Sequence, residues 1–362
     1  MPIDSGKKVI ILYILQVLRK YTDENHTMTQ QDIRDKLRSD YDMDVSRATI
    51  KRNIADLIDA DYEIKYREVR RTYVDRNTGE TEENIIYTDL YYVHDFLESE
   101  LRLLIDGLLF SRSVPYTARK DLIDKLADLS GSHFSKRMKR VHNMSADGPQ
   151  NRDLFWNIEV LDQAIEEGKQ VEITYGYFGT DMKLHETLNA DGSVKRQVLN
   201  PYQLAACEGR YYLICNNDKY NTVANYRVDR IISVDMLDTP VKQKSEVAGL
   251  EDGLDLQKYV YQNLNMFSGE PEKAEFEIPS GAVSLVIDFF GKHVRFFDRG
   301  DGTVSCSLMI SREAMKRWAA QFAGVVRVTS PAELVEDVKA EIRKSAENYG
   351  MKVEKGNGLP CQ

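Results

Sequence analysis

Apolar residues recur at helical spacing through the first sixty positions and at strand spacing directly afterwards. A first helix is predicted over 7–21, followed by a polar break at 22–27. A second begins near Thr29, where Asp32 is placed to complete a capping-box start, and turns Ile33 and Leu37 inward. Ser46 is a good N-cap for a third helix, whose apolar stripe is Ile50, Ile54, Leu57 and Ile58 and which should end near Ala60. Residues 62–93 are rich in Tyr, Ile, Val and Thr and are interrupted by Arg76-Asn77-Thr78-Gly79, so two long antiparallel strands are expected. Three helices and a hairpin predict a winged helix-turn-helix over 1–94.

Helical patterning resumes over 95–168, a linker or dimerisation region. One face carries Phe96, Leu101, Leu104, Ile105 and Leu108, a second Leu122, Leu126 and Leu129, and a third Leu154, Ile158, Leu161 and Ile165. Residues 145–151, with Gly148-Pro149, read as an exposed linker. From 169 to 240 the pattern is β, with strands near 171–177, 196–206, 210–216, 222–226 and 231–237 and turns at Asp191-Gly192 and Glu208-Gly209. Short strands this closely spaced suit a small, strongly bent Sm- or SH3-like barrel. A connector with a possible short helix at 256–264 occupies 241–270. Residues 271–362 read strand, helix, strand, strand, helix, strand, helix, which is a ferredoxin-like order with an added helix. The expected fold class is multidomain α+β.

Composition changes this picture little. With 362 residues, 42% hydrophobic and 30% charged, the chain has the balance of an ordinary soluble protein and no apolar run long enough to span a bilayer. A cytoplasmic location is expected. Cys207, Cys215, Cys306 and Cys361 are scattered, and buried free thiols are the expectation for the first two. The histidines form no ligand-spaced pair, so no metal site is expected. A net charge of −9 leaves room for nucleic-acid binding only through a local basic face.

Such a face is available on the third helix. With Ile50, Ile54 and Leu57 inward, Arg52 lies nearly opposite, Ala48 and Thr49 share its side, and Arg47 and Lys51 flank it. Arg pairs bidentately with guanine, and Thr or Ala can touch a thymine methyl. Asp56, Asp59 and Asp61 would repel phosphates, so the reading end should be 46–53, comprising Ser46, Arg47, Thr49, Lys51, Arg52 and Asn53. An ordinary solvated helix face is the competing account. In the hairpin, Arg70, Arg71 and Arg76 are candidate phosphate contacts, diluted by Glu68, Asp75, Glu80, Glu82 and Glu83.

Two segments carry a resemblance. Tyr211-Tyr212-Leu213 followed by Tyr226-Arg227-Val228-Asp229-Arg230-Ile231 is similar to the signature of WYL-domain regulators, with Tyr where most of that family has Trp. Arg196, Pro201 and Leu204 match residues ahead of the signature strand, and Tyr175 corresponds to the Tyr ending the family's first strand. Residues 45–54 resemble the family's recognition helix, with Asn53 where Asp is common, and the last unit resembles its WCX extension. The resemblance implies a nucleic-acid or nucleotide ligand at Tyr175, Arg196, Arg227 and Arg230. Guanidinium groups bind phosphate bidentately and stack on rings. Regular strand alternation would put Arg227 and Asp229 on one face and Arg230 on the other; a structural Arg paired to Asp229 is the competing account. Tyr211, Tyr212 and Leu213 themselves read mainly as core.

The resulting expectation is a homodimeric transcriptional regulator of double-stranded, palindromic operator DNA, in which a ligand shifts the dimer between two geometries. No enzymatic activity or cofactor is expected, because no carboxylate cluster, nucleophile–base arrangement or Gly-rich phosphate loop is present. The alternative is an accessory protein that binds RNA or single-stranded DNA and modulates a larger effector.

Overall fold

The computed structural model describes residues 9–74, 81–138 and 151–351. The chain divides into two compact units, 1–147 and 148–362.

In the N-terminal unit, α1 (Ile10–Tyr21), α2 (Gln30–Tyr41) and α3 (Arg47–Asp59) precede a hairpin of β1 (Ile64–Val74) and β2 (Thr81–Tyr92). Thr29 and Asp32 form the expected capping box: the Thr29 hydroxyl accepts from the Asp32 amide at 3.2 Å, and the Asp32 carboxylate accepts from the Thr29 amide at 2.8 Å. Ser46 caps α3 by accepting from the Thr49 amide. Ile14, Leu18, Ile33, Leu37, Ile50 and Ile54 are fully buried together. Each such side chain contributes roughly 1.5–3 kcal/mol from burial, so the three helices fix α3 firmly. The expected turn at Arg76-Asn77-Thr78-Gly79 lies outside the described residues, apart from the strands that lead into it.

Residues 95–168 do not form one helical region. Three helices, α4 (Glu98–Phe110), α5 (Tyr116–Asp128) and α6 (Gly131–Met138), belong to the N-terminal unit. Their core is Leu101, Ile105, Ile123, Ala127 and Phe134, whereas Phe96, Leu104 and Leu129 are exposed. On α5 the fully inward positions are Ile123 and Ala127; of the expected stripe, Leu126 packs partly buried against this core, Leu122 is half-buried and Leu129, just past the helix, is exposed. The fourth helix, α7 (Leu154–Glu167), belongs to the C-terminal unit. Its Asn157 amide, together with that of Asn151, donates to the Ile231 carbonyl at 2.7 and 2.6 Å. Asn151, expected in an exposed linker, is therefore buried; the rest of that linker lies outside the described residues.

The strands that follow α7 are β3 (Lys169–Phe178), β4 (Leu184–Glu186), β5 (Arg196–Cys207), β6 (Arg210–Asn216), β7 (Val223–Arg227) and β8 (Ile231–Pro240). The ladder runs β8–β3–β5–β6–β7, antiparallel throughout, with β4 on the far end of β3. β7 and β8 are linked by a single 3-10 turn, Val228–Arg230. Close passage of β4 depends on Gly176, where a Cβ would come within 2.6 Å of the His185 carbonyl oxygen. Gln170, Asn200 and Asn216 are buried and hydrogen-bonded in series, and Gln170 and Asn200 also donate to the exposed Asp218, which ties the loop after β6 to the strands.

A short α8 (Leu256–Gln262) leads to β9 (Pro271–Pro279), α9 (Val283–Phe290), β10 (Arg295–Asp298), β11 (Thr303–Ser311), α10 (Arg312–Gln321), β12 (Arg327–Ser330) and α11 (Ala332–Asn348). The sheet order is β10–β11–β9–β12, all antiparallel. One face of this sheet packs Phe276, Ile278, Cys306 and Leu308 against Phe290, Trp318 and Leu334 of the helices.

Candidate nucleic-acid interface and sensing site

The outer side of α3 borders a groove of about 670 Å³ shared with the start of α2 and the hairpin; its lining includes Gln31, Arg47, Ala48, Lys51, Arg67 and Arg71. The residues expected to read DNA are not equivalent here. Arg47 is exposed but held, its Nε and Nη2 donating to the Gln31 amide oxygen at 2.9 and 2.6 Å. Lys51 is half-buried; its ammonium donates to the Ile85 carbonyl and lies 5.1 Å from the Tyr87 ring centre, so it clamps the hairpin to α3. Arg52 is exposed, and among the described residues no hydrogen bond or ion pair engages it. Ser46 and Thr49 are joined to each other at 2.9 Å at the helix start.

Asn53 corrects the expectation. It is only 7% exposed, and its amide donates to the Thr49 carbonyl at 2.7 Å. The physical reason is spacing: position 53 lies one turn after Ile50 and one residue before Ile54, inside the buried stripe. It belongs to the packed face and not to the reading face.

Strand alternation separates the two expected hairpin arginines. Arg71 lines the groove with Arg67 and Val69, whereas Arg70 projects from the other face of the hairpin. Arg67 forms an ion pair with Asp89 at 2.6 Å. Gln31 and Tyr87 were not anticipated as parts of this surface. Gln31 opens a helix far from α3 in sequence, and only tertiary packing shows that it holds Arg47. Arg76 lies outside the described residues.

In the second unit, Tyr175, Arg227 and Arg230 come together around the 3-10 turn. The Tyr175 hydroxyl accepts from the Arg227 amide at 3.2 Å, and its ring meets Tyr226 edge-on at 5.0 Å. Burial raises the Tyr175 phenol above its ordinary value, and the nearby guanidinium groups of Arg230 and Arg227 oppose that rise. Tyr212 sits directly across the ladder from Arg227 and is half-buried, so only Leu213 of the Tyr-Tyr-Leu triplet is fully core.

Arg227 donates through Nε and Nη2 to the Asp229 carboxylate at 3.0 and 2.6 Å. The pairing raises the Arg227 pKa above its usual value and binds this guanidinium to the protein's own carboxylate. Arg230 is half-buried; among the described residues its Nε is shielded from solvent and has no hydrogen-bond partner. The expected division of Arg227 and Arg230 between two strand faces fails, because 228–230 is helical and not extended.

Arg196 is not part of this cluster. It pairs with Thr174 in the ladder and so shares a sheet face with Glu172, to which its Nη1 donates at 2.7 Å. Tyr175 faces the other side. The Arg196 pKa is raised by the hydrogen bond to Glu172 and by Asp235 nearby. Thus Arg196 is removed from the candidate ligand set by register, and Tyr212, Tyr226 and Asp229 enter it.

Of the cysteines, Cys207, Cys215 and Cys306 are free thiols, the last two buried; burial pushes Cys306 up to about 11 and raises Cys215 further. Cys361 lies outside the described residues. Among the described residues, no group of three or more His, Cys, Asp or Glu side chains is placed to hold a metal ion, and no helix is long and apolar enough to cross a membrane.

Solved structures similar to this chain include the following two. One is a proteasome accessory factor B/C (PafBC) of Arthrobacter aurescens, 16% identical, covering 95% of this chain and 49% of the other, with a TM-score of 0.27. The chain thus spans about half the length of that protein. The second is a CRISPR Cas-related protein, 16% identical, covering 96% of this chain and 86% of the other, with a TM-score of 0.35. No curated protein matches the chain. Residues 157–236, from within α7 to within β8, match the WYL domain, and residues 270–346 match the WCX domain. The chain therefore belongs to the WYL-domain proteins, carrying a WYL domain followed by a WCX domain, the hallmark pairing of WYL-domain transcriptional regulators.

Proposed function

We propose that this protein is a non-enzymatic, sequence-specific DNA-binding transcriptional regulator that acts as a homodimer in the cytoplasm. Its α3 reads the major groove of a palindromic operator. Its WYL cluster takes a nucleic-acid or nucleotide ligand that favours one of two dimer geometries and so alters operator binding. The observation that carries the reading is Arg52. It is an exposed guanidinium in the first half of a capped helix, engaged by no hydrogen bond or ion pair among the described residues, beside a groove lined by further arginines. Such a group can donate two hydrogen bonds to a guanine edge. Two-fold pairing doubles a short readout at fixed spacing, which suits a single recognition helix per chain.

The test is selection of duplexes from a random-sequence pool, followed by gel-shift titration of the recovered sequence at fixed salt. Arg52→Ala is expected to weaken that complex roughly 10- to 100-fold with an unchanged circular dichroism spectrum. Recovery of no sequence preference, or equal affinity for the wild type and the variant, would overturn the reading of α3.

A further inference from the structure

The N-terminal unit holds a groove that neither the reading side of α3 nor the Tyr175 cluster uses. It has a volume of about 580 Å³ and opens between the last turn of α1, the end of β2 and the junction of α5 with α6. Pockets for small molecules run from roughly 300 to 1,000 Å³. Gly131 builds this one. Its φ is +84°, and a Cβ there would come within 3.0 and 3.1 Å of the Arg19 and Lys20 carbonyl oxygens. Glycine alone combines that backbone angle with so close an approach of α6 to α1, and the two walls of the groove meet there.

Each wall carries charges of both signs. On the α1–β2 side the Arg19 guanidinium lies 4.9 Å from the Tyr92 ring centre and donates through Nη2 to the Tyr92 hydroxyl at 2.9 Å. His94 steadies the same ring, meeting it edge-on at 5.3 Å while its Nε2 donates to the Thr22 carbonyl at 3.0 Å. Arg19 is thus fixed by neutral partners, and among the described residues no carboxylate engages it. Asp95, three positions past Tyr92, is exposed and meets no hydrogen bond or ion pair among the described residues. On the α5–α6 side Lys136 is exposed and equally unengaged among the described residues, whereas Asp128 accepts from the Ser135 hydroxyl at 3.1 Å. Lys20 also lines the groove, but its ammonium lies 5.0 Å from the Tyr21 ring centre. Apolar surface is present as well: Leu129 is 49% exposed, and the half-buried Tyr41 is held through its hydroxyl to Gln16 at 3.2 Å.

We propose that this groove binds a small zwitterion of the amino-acid class, with its carboxylate at Arg19 and Lys136, its ammonium at Asp95 and its apolar side chain against Leu129 and Tyr41. A guanidinium held on a ring keeps its remaining N–H groups in a fixed fork, which matches a carboxylate. A ligand of one charge alone would leave the opposite charges of the lining beside it unanswered. A zwitterion engages both signs, and an apolar side chain adds burial. The bound molecule joins α5–α6 to α1, which shares its core with α3. The site stands apart from the duplex-reading role of α3 and from the Tyr175 cluster, and depends on neither.

Isothermal titration calorimetry of the full-length protein with L-phenylalanine, 3-phenylpropionate and phenethylamine tests it, since the last two each lack one of the charges. L-Phenylalanine is expected to bind with a Kd below about 1 mM. Each one-charge compound should bind about tenfold more weakly, the order of one hydrogen bond to a charged group. Lys136→Glu and Asp95→Asn are each expected to weaken L-phenylalanine binding by about tenfold for the same reason. Both side chains are exposed, so thermal unfolding without ligand should not change. Arg230→Ala should bind as the wild type does. Absence of L-phenylalanine binding overturns the proposal, as does equal affinity for all three compounds or unchanged affinity in both groove variants. Loss of binding in Arg230→Ala alone also overturns it, by placing the molecule at the Tyr175 cluster.

Discussion

The outer side of α3 and the turn at 227–230 both present arginines, yet they hold them in opposite ways. On α3 a regular helix leaves Arg52 exposed and, among the described residues, unengaged, while its neighbours Arg47 and Lys51 are tied to Gln31 and Ile85. At the turn, Arg227 is closed onto Asp229, and Arg230 is half-buried beside Tyr175. A guanidinium already paired with a carboxylate must exchange that partner before it meets an anionic ligand. One facing open solvent gives up only water. The first arrangement suits a surface that meets DNA directly, and the second a site whose occupancy rearranges a bond inside the domain.

The largest expected effect separates the two arginines of the turn. Arg227→Ala leaves the Asp229 carboxylate, 5% exposed, without its bidentate partner. A stability loss of about 2–3 kcal/mol is expected, because removing one member of a shielded pair strands the other. Arg230→Ala removes a group whose Nε has no partner among the described residues, and should stay within about 0.5 kcal/mol of the wild type. Denaturant melts of both variants decide the matter: equal losses would show that Arg227 and Arg230 play the same part.

A smaller effect tests whether the hairpin and α3 act as one reading surface. Lys51→Met keeps the aliphatic stem and loses the bond to the Ile85 carbonyl and the contact with Tyr87. Duplex affinity should fall by about tenfold, the order of one charged hydrogen bond. Amide exchange at 85–87 should quicken, whereas α3 itself should not change. If affinity falls while exchange in the hairpin is unaltered, Lys51 contacts DNA directly and is not a clamp.

Much of this molecule was legible in its sequence wherever one periodicity ruled. The caps at Thr29 and Ser46, the buried stripe of α3 and the strands from 169 onward, except the three-residue β4, follow from residue types at fixed spacing. Sequence reading failed where a local break or a distant partner took over. Asn53 falls within the expected reading end, 46–53, although its position is inward. The 3-10 turn at 228–230 cancelled the strand alternation that would have parted Arg227 from Arg230. The family resemblance groups Arg196 with the sensing residues, whereas register with Thr174 turns it to the opposite face, onto Glu172. Helix α7 reads as one more helix of a linker, and only the bonds from Asn151 and Asn157 to Ile231 reveal that it belongs to the sheet.

The smallest effect concerns the tyrosine that joins the sensing cluster to the sheet. The Tyr226 hydroxyl donates to the Gln197 side chain at 2.9 Å, and its ring packs edge-on against Tyr175. Burial, followed by the neighbouring Cys215 and Tyr175, pushes its phenol from 10.0 up to about 12. A raised acid contributes stability that is fully present below the unfolded value. It is lost as pH climbs from about 10 to about 12, because the unfolded chain ionises first. Tyr202 and Tyr259 are raised to about 12 for the same leading reason, and burial also raises Tyr175 and the thiols of Cys215 and Cys306, so the alkaline limb of the stability curve is shared among these groups. Tyr226→Phe should cost about 1 kcal/mol at neutral pH through the lost hydrogen bond. Above pH 10 that deficit should shrink, since the variant has no phenol here to ionise. Melts at pH 7 and at pH 11, read beside a spectrophotometric tyrosinate titration, check both parts. A deficit that stays constant across that range would mean that the Tyr226 hydroxyl ionises as readily in the folded protein as in the unfolded one.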